Sequence, residues 1–178
     1  NGNTITFTVN RGFRITASNT VAFENVTIVN TANGGRCVDT RTSDINLTFN
    51  NVNLIAKGTY SQPLTIGGSD NDNLVVNLNN STIEACHYGI ITFNPVALNI
   101  NNSTVSGFNA IYFKPAVGSL GSNSTVVNAY NSILESNNNT TKAESNSTAT
   151  FNIEDNGITM NFDSNCILKA NAVTNPQV

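Results

Sequence analysis

The sequence predicts an all-β fold, a single-stranded parallel β-helix of about six coils. Three observations predict it. Apolar and polar residues alternate in short runs, the signal of a half-buried strand, because successive strand side chains point to opposite faces. One such run recurs at residues 21–28, 47–54, 76–85, 98–105 and 127–134. Within each run a single asparagine, Asn25, Asn51, Asn80, Asn102 or Asn131, marks the point where the alternation shifts phase.

Each position of the repeat has its own column. The first inward position holds Val21, Leu47, Val76, Leu98 and Val127, and the second Phe23, Phe49, Leu78, Ile100 and Ala129. Three residues past the asparagine come Ile28, Leu54, Ile83, Val105 and Leu134. The phase shift implies a bend at a residue able to leave the β region, which asparagine tolerates better than most. Successive Phe23 positions lie 26, 29, 22 and 29 residues apart. Self-similarity in that range belongs to solenoids, whose stacked coils bury one continuous core. Propellers and leucine-rich repeats share the range, but no W-D or L-x-x-L-x-L signature occurs.

Stacked coils place equivalent residues about 4.8 Å apart, close enough for asparagine amides to bond up the stack. A ladder of Asn25, Asn51, Asn80, Asn102 and Asn131 would satisfy polar groups at a corner expected to be buried. Asn25, Asn80 and Asn102 also head N-x-S/T sequons, but Asn51 and Asn131 hold the register without one. With 34 asparagines in 178 residues, sequons arise by chance, and the ladder is the reading for all five. Asn46, Asn123, Asn139 and Asn146 head further sequons and are candidate glycan acceptors.

Composition fits a narrow core with a wide polar surface. Only 11% of residues are charged and 39% are apolar, the charged share well under the roughly 25% of ordinary globular chains. The net charge of −3, with no basic run, excludes nucleic acid as an expected partner. No stretch reaches the ~18 apolar residues of a membrane span. The chain begins Asn1-Gly2 rather than with Met, as a processed or internal segment would. Cys37, Cys86 and Cys166 cannot all pair internally and read as small buried hydrophobes. The polar, lysine-poor surface leans towards a secreted or cell-surface location.

In chain order, residues 1–178 read as one solenoid domain. Residues 4–9 and 11–16 are opening strands within 1–19, coils fill 20–170, and 171–178 form a tail. A second short strand follows each corner: Cys37-Val38, Leu64-Thr65-Ile66, Tyr88-Gly89-Ile90-Ile91 and Ala110-Ile111-Tyr112-Phe113. Connections rich in Gly, Pro, Ser or Asn at 31–35, 57–62, 67–72 and 115–124 absorb the unequal coil lengths. Past Leu134, spacing favours Ile153 at the Phe23 position, with Asp155 replacing the asparagine and 162–170 as a closing strand. The alternative puts Phe162 there, with Ser164 at the corner and Ile167 inward.

The h-x-h-x-N-[S/V]-x-h coils followed by G-I-I and A-I-Y strands resemble the right-handed parallel β-helix repeats of the pectin-lyase-like superfamily. The resemblance covers most of residues 20–170 and implies a right-handed coil. That superfamily includes polysaccharide lyases and hydrolases, tailspikes, autotransporter passengers and surface adhesins, so the pattern specifies fold rather than activity.

Chemistry is sparse. The N-T-D, D-D, G-H-G and R-I-K motifs of that fold's hydrolases are missing, and His87 stands alone in C-H-Y-G-I. Glycoside hydrolysis needs two carboxylates facing one site, whereas neighbours such as Glu154 and Asp155 point to opposite faces of a strand. Asp70 and Asp72, alternating with Asn71 and Asn73, offer oxygens that Ca²⁺ could accept. They lack the glycine and closing glutamate of an EF-hand loop, so a solvated turn is the reading, with no cofactor otherwise implied. Arg36 and Arg41 flank Asp39 as a local surface ion pair. The expected function is a non-catalytic extracellular structural or adhesive solenoid. Its partners would be itself, stacked end to end as a filament, or neighbouring domains, with glycans as further candidates. The alternative is a carbohydrate-active enzyme or glycan-binding module on the same scaffold.

Overall fold

A computed structural model of the chain describes residues 2–17, 19–42, 44–67, 74–114, 125–137, 150–153 and 157–170. The strands come in threes. The first set is β1 (Asn3–Phe7), β2 (Arg11–Ile15) and β3 (Asn19–Glu24), and the second β4 (Val26–Asn30), β5 (Arg36–Thr40) and β6 (Ile45–Asn50). Next come β7 (Asn53–Ala56), β8 (Leu64–Ile66) and β9 (Leu74–Asn79), then β10 (Thr82–Ala85), β11 (Tyr88–Thr92) and β12 (Val96–Asn101). They are followed by β13 (Thr104–Gly107), β14 (Asn109–Phe113) and β15 (Thr125–Tyr130). The last are β16 (Ile133–Ser136), β17 (Phe151–Ile153), β18 (Ile158–Phe162) and β19 (Ile167–Lys169).

Every third strand pairs in parallel. The first sheet runs β1-β4-β7-β10-β13-β16-β19, the second from β2 to β17 and the third from β3 to β18, with 7, 6 and 6 strands. The fold is an all-β, right-handed parallel β-helix. The corner asparagines from Asn25 to Asn131 bound four complete turns rather than the expected six or so coils, with three strands before them and four after. The opening strands are therefore part of the stack: β1 pairs with β4 and β2 with β5.

Register reproduces the columns of the repeat. In the third sheet Val21, Leu47, Val76, Leu98, Val127 and Met160 stand in line, as do Phe23, Phe49, Leu78, Ile100, Ala129 and Phe162. In the first sheet the line is Ile5, Ile28, Leu54, Ile83, Val105, Leu134 and Leu168. The second sheet contributes Phe13, Val38, Leu64, Ile90, Ile111 and Phe151. These lines converge on one core, in which Leu47, Phe49, Leu64, Leu98 and Ile111 are fully buried. Each such side chain contributes roughly 1.5–3 kcal/mol by leaving water. Phe23 and Phe49 stack with ring centroids 5.3 Å apart and planes 8° from parallel. Glycine marks a close approach between coils: a Cβ on Gly107 would stand 2.6 Å from the Gly89 nitrogen.

The register past Leu134 differs from the favoured expectation. Phe162, not Ile153, stands opposite Ala129, while Ile153 pairs with Phe113 in the second sheet. Phe151 explains the placement, since it is the buried ring of its strand and packs against both Phe113 and Phe162, whereas Ile153 is 46% exposed. The inward residue that follows is Leu168 rather than Ile167, because Leu134 pairs with Leu168. The corner there has one residue more, and its turn is closed by the Cys166 amide donating to the Asp163 carbonyl at 3.2 Å. The expected closing strand at 162–170 is thus split between the end of β18 and β19.

Candidate functional site

The five corner asparagines occupy one bend. Asn25, Asn51, Asn80, Asn102 and Asn131 have φ of 52°, 54°, 50°, 48° and 46°, the left-handed region that asparagine adopts at low cost. The backbone N–H groups of Asn25, Asn51, Asn80 and Asn102 each donate 3.0 Å to the carbonyl before the next corner: Asn50, Asn79, Asn101 and Tyr130. Side-chain bonds link Asn51 to Asn25 at 3.2 Å and Asn131 to Asn102 at 2.7 Å. One expectation is corrected: all five side chains are exposed, so the corner is not a buried one. The bend points its asparagine outward and the next residue inward.

That next residue explains two of the sequons. Ser81, Ser103 and Ser132 are at most 4% exposed. The Ser103 hydroxyl accepts the Ser81 amide at 3.0 Å, and the Ser132 hydroxyl accepts that of Ser103 at 3.1 Å. Each hydroxyl donates two residues back, Ser81 to the Asn79 carbonyl at 2.8 Å, Ser103 to that of Asn101 and Ser132 to that of Tyr130, both at 2.7 Å. The Asn-Ser-Thr of a corner is therefore a bend, a buried donor–acceptor and an outward strand residue.

Two further ladders cross the outer face of the third sheet. Asn77 donates to Asn46 at 3.2 Å, Asn99 to Asn77 and Asn128 to Asn99 at 2.9 Å, and Asn161 to Asn128 at 2.8 Å. Beside them Asn50 donates to Glu24 at 3.3 Å, Asn79 to Asn50 at 2.9 Å and Asn101 to Asn79 at 3.1 Å. Asn46, a candidate glycan acceptor, is exposed and its side-chain oxygen is the terminal acceptor of the first ladder.

Charge gathers at one place. Asp39, on β5, is fully buried and has four arginine partners rather than the two expected from its neighbours. Arg11 Nε lies 3.3 Å and Arg14 Nε 3.6 Å from Oδ2, Arg36 Nη1 3.3 Å and Arg41 Nε 3.2 Å from Oδ1. These are all the arginines in the chain. The reading of a local surface pair is corrected, because the carboxylate is inside and the cluster spans two turns. Parallel pairing of β2 with β5 sets Arg14 directly beside Asp39 and Arg11 beside Arg36. Burial lowers the pKa of Arg36; Asp39 raises it again, and Arg41, Arg11 and Arg14 lower it further. The buried Nε of Arg36 meets no acceptor among the described residues. The arrangement is a dense, partly exposed set of N–H donors with a net charge of +3 from four guanidiniums and one carboxylate.

His87 is 3% exposed and packs edge-on against Tyr60, centroids 5.9 Å apart, in an aromatic cluster with Tyr88 and Phe108. Cys37, Cys86 and Cys166 are free thiols. Burial pushes the pKa of Cys37 up to about 12, so it stays a neutral core residue. Asp70, Asp72, Asn123, Asn139, Asn146, Glu154 and Asp155 lie outside the described residues. Among the described residues no group of His, Cys, Asp and Glu could hold a metal, and no helix is long and apolar enough to cross a membrane. Compared with protein-family models, curated proteins and solved structures, the chain finds no match.

Proposed function

We propose that the chain is a non-catalytic structural or adhesive solenoid, secreted or displayed at a cell surface, whose copies stack end to end. The observation that carries this reading is the state of the two tips. The first-sheet column is sealed along its length, with Ile28, Leu54 and Leu134 at most 1% exposed, and open at its ends, where Ile5 is 37% and Leu168 41% exposed. Among the described residues β1 and β19 each pair on one side only, which leaves backbone donors and acceptors of the kind that recruit another strand. Both tips belong to one column and run in one direction. A second copy's β1 can therefore continue beyond β19 in the pairing that joins β1 to β4, with its Ile5 against Leu168. Head-to-tail contacts of this kind do not close and yield filaments.

The first sheet is one strand taller than the other two. Copies that meet there leave about 4.8 Å, one strand, open in the second and third sheets. The ladders of uncharged amides and the low charge, 11% of residues, suit a long polar surface outside the cell. Sedimentation and electron microscopy over a range of concentrations test the reading. Rods that lengthen with concentration, and monomers for Leu168→Asp, are expected. Dispersed wild-type monomers at every concentration overturn it, and assays on pectin and alginate with and without Ca²⁺ separate it from an enzymatic role.

A further inference from the structure

We propose that the four arginines around Asp39 bind a sulfate or phosphate group, free or esterified on a polymer. The inference is independent of end-to-end stacking. Each guanidinium carries five N–H donors, and one carboxylate offers about four acceptor sites, so Asp39 cannot occupy the cluster's donors. Four guanidiniums within 3.6 Å of one carboxylate also repel one another. Among the described residues the four guanidiniums and Asp39 sum to +3, a local concentration of positive charge in a chain of net charge −3.

A doubly charged oxyanion relieves that repulsion, and its paired oxygens match the fork of an arginine. The patch is reachable from solvent, since the side chains of Arg11 and Arg14 are 43% and 44% exposed. The strand that carries Asp39 is tied to the next turn beside it: Thr40 Oγ1 donates to the Gly67 carbonyl at 3.1 Å and accepts the Gly67 amide at 3.0 Å.

Calorimetric titration of the full chain with sodium sulfate, inorganic phosphate, dextran sulfate and uncharged dextran, against chloride at equal ionic strength, tests the site. Heats of binding are used because sulfate stabilises folded proteins without binding them. Saturable one-to-one binding of sulfate or phosphate is expected, at least about tenfold weaker in Arg11→Gln/Arg14→Gln. Arg11→Lys/Arg14→Lys keeps the charge without the fork and falls between, which keeps the test open if the glutamine variant unfolds. Equal affinity for the inorganic anion and for each dextran sulfate group marks a free ion as the ligand; at least tenfold tighter binding to dextran sulfate marks a polymer ester. The proposal is overturned by heats no larger than those of chloride, or by binding undiminished in both arginine variants.

Discussion

The Asp163 carboxylate accepts the backbone N–H of Asn131 at 3.0 Å, replacing the main-chain carbonyl that serves each earlier corner. The asparagine column ends at Asn131, and Asp163 supplies the next acceptor from its side chain. That bond, with smaller contributions from Cys166 and Asn165, holds the Asp163 pKa below the usual 3.8.

A depressed carboxylate pKa stabilises the fold above the unfolded value and loses that contribution as pH falls through the folded one. Hydrogen exchange at the Asn131 amide is therefore expected to stay slow as the pH falls past the usual carboxylate value, and to accelerate only as the folded Asp163 carboxyl itself takes up its proton. Asp163→Asn keeps an acceptor oxygen but removes the titration, so its exchange, corrected for intrinsic rates, should lose that step.

The corner positions test the backbone argument. Asn80→Ala places an ordinary side chain at φ 50°, which costs about 1–2 kcal/mol in the left-handed region. Asn80→Gly removes the same amide without that strain, so urea denaturation should rank it above Asn80→Ala in stability.

Ser103 and Thr104 separate the structural reading of the sequon from the glycan reading. Ser103→Ala strands the buried Ser81 amide and should cost about 1–3 kcal/mol. Thr104→Ala destroys the same sequon on the outer face and should stay within about 0.5 kcal/mol of wild type.

Asp39→Asn leaves four guanidiniums with no counter-charge from Asp39 and should destabilise the fold by about 3–5 kcal/mol, the usual cost of breaking a buried pair from one side. Added salt should recover part of the loss, because it screens the repulsion among the exposed arginines. Denaturant midpoints at low and high salt measure both effects.

Leu98→Ala empties a fully buried position flanked in its column by Val76 and Val127. A loss of about 2–5 kcal/mol is expected. Substitution at Leu168, in an open column tip, should cost less.

A solenoid repeats in sequence what it repeats in space, which is why so much of it can be read from residue types alone. Val21 to Val127, Phe23 to Ala129 and Ile28 to Leu134 are columns in both senses, and the asparagine at each bend marks itself by shifting the alternation. Ser81, Ser103 and Ser132 were visible beside those bends, but only their burial shows that the hydroxyls point inward. The outer ladder from Asn77 to Asn161 stood in one register, hidden among 34 asparagines, whereas Asn46 stands opposite Val75, two residues off it.

Where the repeat breaks, the chain alone decides less. Arg14 lies one turn before Asp39, 25 residues away, in a stretch without a corner asparagine to set its register. Pairing of β2 with β5 brings the two together. The choice of Phe162 over Ile153 likewise rests on which ring fits above Phe113. Local pattern dictates strand, bend and face, because these depend on a residue and its near neighbours. Charge clusters, the final register and the open tips depend on which strands become neighbours, and that is set by packing across the whole column.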